Sequence, residues 1–142
     1  MTNKNKIIPR ILPTLTLSSI EEAKKVYAVL QAANINSIEV TLRPSVSDEA
    51  IEFLANQPEI NLGLGTVLNV TQLLKFKSLN ICYAVSPGFN EDVHDYCKKE
   101  EIAYIPGVET ASEVMKMMSF GLDRLKFFPA EQSGGVEKLK SF

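Results

Sequence analysis

The sequence has few of the residues that build metal sites and disulfide scaffolds. Its 142 residues include two cysteines and one histidine. Cys82 and Cys97 are too few and too far apart for a disulfide framework or a zinc knuckle, so we expect two free thiols in a reducing compartment. His94 stands among acidic residues in a polar, helix-like stretch, which predicts a solvated surface histidine. The sequence therefore predicts chemistry without a metal or any other cofactor.

A strong charge of one sign and a long apolar run are also missing. The net charge of −2 and the pI near 5.5 indicate no basic surface for nucleic acid or an anionic membrane. No apolar run reaches the roughly 18 residues that a membrane span requires. The polar residues 1–6 lack the apolar stretch of a secretion signal, so we expect a cytoplasmic protein. The mixture of 45% hydrophobic and 23% charged residues is typical of one globular domain, residues 1–142.

What is present is an alternation of strands and amphipathic helices in about six β–α units. Consecutive units of this kind predict a parallel sheet, because parallel strands need a crossover connection. The predicted strands are Ile11–Leu15, Ser37–Leu42, Asn61–Gly65, Ile81–Val85, Ala103–Ile105 and Leu122–Phe128.

Helical spacing predicts the faces of two of the connecting helices. The first helix has one apolar face, and a later helix has a methionine-rich face that we interpret as core packing. Ser19 with Glu22, and Thr110 with Glu113, have the spacing of a capping box at the start of each helix. The two predicted faces are Ala23, Val26, Tyr27 and Leu30, and Ala111, Val114, Met115 and Met118.

Two parallel architectures fit this alternation: an open doubly wound sheet and a TIM-type (β/α)₈ barrel. Nucleotide-binding open sheets have a glycine-rich turn after the first strand, whereas the segment Thr16–Ser19 has no glycine. The sequence therefore favours the barrel. Since a barrel needs eight strands and the helical stripe Val136, Leu139 and Phe142 stops without a seventh, we expect an incomplete barrel, either a fragment or a degenerate relative of a longer family.

Side-chain alternation along the second and third strands indicates a polar inner face. Glu39, Thr41 and Arg43 share one parity and are expected to point to the barrel axis, although a strand with one wet face would alternate in the same way. Gly63 and Gly65 share a face of the third strand, just before Thr66. They indicate open space for a substrate or, equally, a tight packing contact.

Lys126 is the most informative single residue. It lies in the sixth strand beside Leu125, Phe127 and Phe128, where an ammonium loses hydration and the neutral amine that attacks carbonyls is favoured. The alternative is a lysine that extends along apolar surface to reach solvent.

Five short motifs in order along the chain carry a family resemblance. They are Glu39–Arg43, Gly65–Leu68, Ser86–Gly88, Ile105–Gly107 and Lys126–Glu131. Together they resemble the bacterial 2-keto-3-deoxy-6-phosphogluconate / 4-hydroxy-2-oxoglutarate aldolases, which are class I Schiff-base enzymes. The resemblance implies that Lys126 forms the Schiff base and that Glu39 is the general acid/base.

The same resemblance implies that Arg43 and Thr66 bind the substrate carboxylate and neighbouring oxygens, that Pro87 lines the pocket, and that the enzyme is a homotrimer. It also shows two departures. The family's phosphate-binding loops follow strands seven and eight, and Thr16 stands where relatives often have arginine. Gly134 and Gly135 belong to the sixth loop and are expected to be a plain loop.

The expected function is a lyase that cleaves a 2-keto-3-deoxy-6-phospho sugar acid to pyruvate and glyceraldehyde 3-phosphate. Two alternatives stay open: a catalytically inactive fragment or remnant of such an aldolase, and a phosphate-binding barrel isomerase or epimerase. The second would not need a lysine between apolar neighbours.

Overall fold

Parallel strands and connecting helices alternate along the chain in the computed structural model, which describes residues 9–142. The strands are β1 Thr14–Leu15, β2 Ser37–Thr41, β3 Asn61–Gly65, β4 Tyr83–Val85, β5 Ala103–Ile105, β6 Gly107–Val108 and β7 Lys126–Phe127. The helices are α1 Ile20–Ala32, α2 Asp48–Ala55, α3 Val70–Leu74, α4 Glu91–Lys99, α5 Ala111–Ser119 and α6 Gly135–Leu139. This order confirms the predicted parallel α/β fold.

The first five strands form one parallel sheet in the order β1-β2-β3-β4-β5, and β6 pairs with β7 in parallel. Two strands are much shorter than predicted, because β1 contains only Thr14–Leu15 and β7 only Lys126–Phe127. Within residues 9–142, β1 pairs with β2 alone and β7 with β6 alone. Closure of a barrel therefore stays a prediction.

Pro106 divides one extended segment into β5 and β6, because a proline has no amide hydrogen to donate to a neighbouring strand. On one side of the segment, the Ser86 amide donates to the Ile105 carbonyl at 3.1 Å. On the other side, the Lys126 amide donates to the Pro106 carbonyl at 2.9 Å. The segment Ala103–Val108 thus joins the five-stranded sheet to β7.

The main core lies between the sheet and its covering helices. Its strand residues are Ile38, Val40, Leu62 and Leu64, and all four are fully buried. The predicted face of α1 is confirmed, since Ala23 and Leu30 are buried and Val26 and Tyr27 are packed against the same core.

The predicted methionine face of α5 is wrong. Met115 and Met118 are 71% and 65% exposed, whereas Met117 is 2% exposed. The cluster of apolar residues on α5 is compatible with two rotations of the helix, and tertiary packing selects the one that buries Met117. The face that contains Met115 and Met118 lies against solvent.

The two predicted capping boxes differ in outcome. At α5 the box forms as predicted: Thr110 Oγ1 accepts from the Glu113 amide at 3.3 Å, and Glu113 Oε2 accepts from the Thr110 amide at 2.9 Å. At α1 only half of it forms. Ser19 caps the helix, but Glu22 Oε2 accepts from the Ser18 amide at 2.7 Å rather than from that of Ser19.

The prediction of a solvated His94 is also wrong. The residue is 7% exposed, and its ring lies 5.9 Å from that of Phe89 and 5.4 Å from that of Phe120, measured between centroids. It shares the buried side of α4 with Val93 and Cys97, while the acidic residues beside it in sequence lie on the exposed side. Nδ1 of His94 lies 3.0 Å from Asp95 Oδ1.

The two cysteines are free and buried, as the sequence predicted for their thiol state. Burial raises the pKa of the Cys97 thiol to about 12. None of the helices in residues 9–142 combines the length and the apolar character that a membrane crossing requires.

Candidate active site

The polar face of β2 is the centre of the candidate site. Glu39 and Thr41 are 4% and 6% exposed, and they alternate with the fully buried Ile38 and Val40 of the opposite face. Glu39 and Thr41 therefore share one buried face of β2, as their parity predicted, opposite the face of Ile38 and Val40. The parity stops at Thr41, where β2 ends.

Arg43 lies beyond the end of β2, and its predicted direction towards the barrel axis stays a prediction. Its amide donates to the Thr41 carbonyl at 2.9 Å, which turns the chain immediately after the strand. The residue is exposed. Side chains alternate between two faces only along extended backbone, so the parity of β2 does not apply beyond the turn.

Large side chains from neighbouring strands pack directly against the two glycines of β3. A β-carbon at Gly65 would collide with the carboxyl group of Glu39, and one at Gly63 would collide with the Tyr83 ring. The Tyr83 hydroxyl passes over β3 and donates to the Ile38 carbonyl at 2.9 Å. Of the two interpretations of these glycines, tight packing is confirmed and open space above them is wrong.

The carboxyl group of Glu39 has two unequal oxygens. Thr14 Oγ1 donates a hydrogen bond to Oε2 at 3.3 Å. Oε1 is buried and has no hydrogen-bond partner among the described residues. Burial raises the pKa of Glu39 above its ordinary value, although the positive charge of Lys126 and the Thr14 hydrogen bond act in the opposite direction.

Lys126 approaches Glu39 from β7, at the other end of the described strand order. Its side chain is half-buried, and Nζ lies 4.7 Å from the centroid of the Phe128 ring. This cation–π contact confirms that Lys126 and Phe128 share a side of the strand. Lys126 lies near enough to Glu39, 87 positions away in sequence, for its positive charge to lower the pKa of the carboxyl group.

Arg43 and Thr66 line a cavity of about 590 Å³ between the loops that follow β2 and β3. Thr66 has a positive φ of 57°, in the left-handed region that favours glycine, at the point where the chain leaves β3. Glu39 and Lys126 are not among the described residues that line this cavity. The structure therefore brings together the two predicted carboxylate-binding residues, but in a space separate from the Glu39–Lys126 pair.

Pro87 is exposed and lies in the loop after β4, beside a cavity of about 410 Å³ that Gly107 and Phe128 also line. A β-carbon at Gly107 would collide with the Pro87 carbonyl oxygen, so glycine is required where this loop crosses the segment Ala103–Val108. Pro87 therefore lines one cavity with Phe128, the residue that follows β7.

Thr14 and Tyr83 were missed in the sequence, although signals for both were present. Thr14 and Thr16 alternate with Leu15, which is the same parity pattern that identified Glu39, and the Thr16 hydroxyl is hydrogen-bonded to that of Thr41. Tyr83 lies opposite Gly63 in the strand register. Among residues 9–142, no three histidine, cysteine, aspartate or glutamate side chains form a group that could hold a metal ion.

Comparisons with known proteins give consistent matches. Residues 3–142 match the profile of the family described as KDPG and KHG aldolase. The chain is 39% identical over 131 residues to the 2-dehydro-3-deoxy-phosphogluconate aldolase of Zymomonas mobilis, covering 92% of this chain and 63% of that protein. It is 37% identical over 132 residues to the KHG/KDPG aldolase of Escherichia coli K12, covering 92% of this chain and 62% of that protein.

Two crystal structures match the fold closely. The first is the 2-keto-3-deoxy-6-phospho-gluconate aldolase of Zymomonas mobilis ATCC 29191, with a TM-score of 0.82, 40% identity and coverage of 92% of this chain and 63% of that one. The second is the KDPG aldolase of Legionella pneumophila with pyruvate captured as a covalent carbinolamine intermediate, with a TM-score of 0.83, 35% identity and coverage of 92% and 64%. The chain spans less than two thirds of the length of these relatives.

Proposed function

The chain belongs to the KDPG and KHG aldolase family, and from that premise we propose that it carries the catalytic pair of a class I aldolase. The proposed reaction is cleavage of a 2-keto-3-deoxy-6-phospho sugar acid to pyruvate and glyceraldehyde 3-phosphate. The observation that carries the proposal is the pairing of Lys126, half-buried over an aromatic ring, with the buried carboxyl group of Glu39.

Lys126 is proposed as the nucleophile. Its neutral amine attacks the C2 carbonyl of the substrate to give a carbinolamine, and loss of water then leaves a protonated imine. The imine accepts the electron pair of the C3–C4 bond when that bond breaks, which gives an enamine. The relative from Legionella pneumophila was crystallised with pyruvate as a covalent carbinolamine, the first intermediate on this route.

Glu39 is proposed as the group that moves protons. It takes the proton of the C4 hydroxyl as the C3–C4 bond breaks, so that C4 leaves as an aldehyde. The proton then returns to C3 of the enamine, and hydrolysis of the resulting imine releases pyruvate and the free lysine. The raised pKa of Glu39 supports this role, because a general acid/base works best with a pKa near the operating pH.

We further propose that Arg43 and Thr66 bind the substrate carboxylate and adjacent oxygens and that Pro87 lines the pocket. The cavity shared by Arg43 and Thr66 supports their acting together. Their separation from Glu39 and Lys126 means that Arg43, which is exposed, would have to turn towards bound substrate. A TIM-type (β/α)₈ barrel and a homotrimer are proposals for the whole protein. The barrel rests on the β–α alternation and the glycine-free turn after the first strand, and the homotrimer rests on the family resemblance.

Borohydride trapping with pyruvate tests the proposed function, because reduction of an imine fixes the ligand covalently on the lysine. Peptide mass spectrometry should locate the adduct on Lys126. Lys126→Ala should abolish labelling, while the matched control Lys99→Ala, at the exposed end of α4, should label normally. Labelling that persists on another lysine in Lys126→Ala would contradict the assignment.

Cleavage assays then separate the role of Glu39 from that of Lys126. Where the protein turns over substrate, Glu39→Gln should slow cleavage by about 10²–10⁴-fold, the usual contribution of a positioned acid/base. Comparing phosphorylated keto-deoxy gluconate, its galactonate epimer and 4-hydroxy-2-oxoglutarate would identify the preferred substrate. A nearly normal cleavage rate in Glu39→Gln would show that another group moves the proton.

A further inference from the structure

The unequal environment of the two Glu39 oxygens depends on Thr14. Thr14 and Glu39 are direct partners in the parallel register of β1 and β2, so their side chains lie side by side on the same face of the sheet. The Thr14 hydroxyl donates to Oε2 at 3.3 Å and leaves Oε1 without a partner among the described residues. Among the described residues, the carboxyl group is therefore hydrogen-bonded through Oε2 alone.

The second restraint on Glu39 is steric. The carboxyl group rests against the bare backbone of Gly65, where a β-carbon would collide with Oε1. A carboxyl group that is held at Oε2 and packed at Oε1 cannot turn freely to exchange its two oxygens. The carboxyl group therefore keeps one orientation.

We propose that Thr14 is a positioning residue that holds Oε2 of Glu39 and so fixes the orientation of the carboxyl group that exchanges protons with the substrate. This inference rests on the proposed function, because it assumes that Glu39 is the proton carrier. Thr14 itself exchanges no proton with substrate and acts only through Glu39.

Groups from three other strands act on Glu39 together with the Thr14 hydroxyl. Lys126 approaches from β7 and favours the charged carboxylate. Tyr83 of β4 also interacts with Glu39, but its hydroxyl is engaged by the Ile38 carbonyl. β3 contributes Gly65, which carries no charge. The hydrogen bond from Thr14 therefore acts with Lys126 and against the effect of burial.

The test compares Thr14→Val, which removes the donor, with Thr14→Ser, which keeps it. Thr14 is exposed, so valine, which has nearly the same shape, deletes the hydroxyl without opening a cavity in the core. The first measurement is the titration of Glu39 by NMR in protein labelled with ¹³C at the glutamate carboxyl carbon. The Glu39→Gln variant assigns the resonance.

We expect the pKa of Glu39 to be higher in Thr14→Val than in the wild type, because a hydrogen bond that stabilises the carboxylate is lost. Thr14→Ser should titrate close to the wild type. Equal pKa values in all three proteins would overturn the inference, and so would a shift in Thr14→Ser as large as that in Thr14→Val. This measurement needs no catalytic turnover, so it can fail or succeed independently of the proposed aldolase activity.

The second measurement is the pH profile of borohydride trapping of pyruvate. Its acidic limb should move to higher pH in Thr14→Val by the same amount as the NMR titration, because Glu39 must be ionised to accept a proton. A shift in the titration without a shift in the profile would contradict the link between Thr14 and proton transfer. Absence of trapping in the wild type would instead refute the proposed function, while the titration would still report on Thr14.

Discussion

Replacing Gly65 with alanine should reveal how tightly Glu39 is packed. The new β-carbon would occupy the space of the Glu39 carboxyl group, which is 4% exposed and has little room to move. The matched control is Gly88→Ala, because a β-carbon at Gly88 meets no atom within 4 Å.

Two opposing terms determine the size of the effect. Alanine is favoured over glycine in regular structure by about 0.5–1 kcal/mol, whereas overpacking a buried site costs about 1–3 kcal/mol. We therefore expect Gly65→Ala to lower the free energy of unfolding by roughly 0.5–2 kcal/mol. In a Glu39→Ala background the collision disappears, and the same substitution should raise the free energy of unfolding by about 0.5–1 kcal/mol.

Urea denaturation followed by circular dichroism measures both effects in a double-mutant cycle. The decisive outcome is the reversal of sign between the two backgrounds. Equal destabilisation in both would show that Gly65 is required for its own backbone and not for Glu39. Gly88→Ala should change the free energy of unfolding by no more than about 0.5 kcal/mol.

Three further predictions use simple measurements. Met117→Ala should lower the free energy of unfolding by about 2–5 kcal/mol and Met115→Ala by less than about 0.5 kcal/mol; the reverse order would mean that α5 packs through its other face. Burial raises the pKa of Glu39, so the wild type loses folding free energy as the pH rises from about 4.3, the ordinary glutamate value, through the raised value. Glu39→Gln should therefore become more stable relative to the wild type between pH 4 and pH 7. A difference that does not change with pH would contradict this. In a Cys82→Ser background, Cys97 should react with thiol reagents at neutral pH far more slowly in the folded than in the unfolded protein, since it is buried and its pKa is about 12.

The parts of the fold with strong periodicity could be predicted from the sequence. The bounds of β3 are those predicted, β2 differs from its prediction by one residue, and the face of α1 is correct. In each case the alternation or the helical spacing extends over enough residues to determine which face of the strand or helix is buried. The family resemblance, carried by five short motifs, is confirmed by the match over residues 3–142.

The errors arose where the local sequence pattern is compatible with more than one arrangement and tertiary contacts determine which one forms. Parity assigns a face but does not say where a strand ends, which is why it could not place Arg43, two residues after the end of β2. Acidic neighbours made His94 look solvated, although helix rotation buries it beside Phe120. The space above Gly63 could not be assessed without knowing that Tyr83 of another strand fills it.

The interruption at Pro106 has a consequence for local unfolding. Glu39 lies in the second of five paired strands, whereas Lys126 is held by a two-residue ladder to Gly107 and Val108. The free energy of local unfolding is lower for a segment that is held by few hydrogen bonds than for a strand inside a larger sheet. Hydrogen exchange should therefore be faster at the Lys126 and Phe128 amides than at the Glu39 amide. We therefore expect the lysine end of the pair to open more often than the carboxylate end, and the β6–β7 ladder to limit how long the two groups stay together.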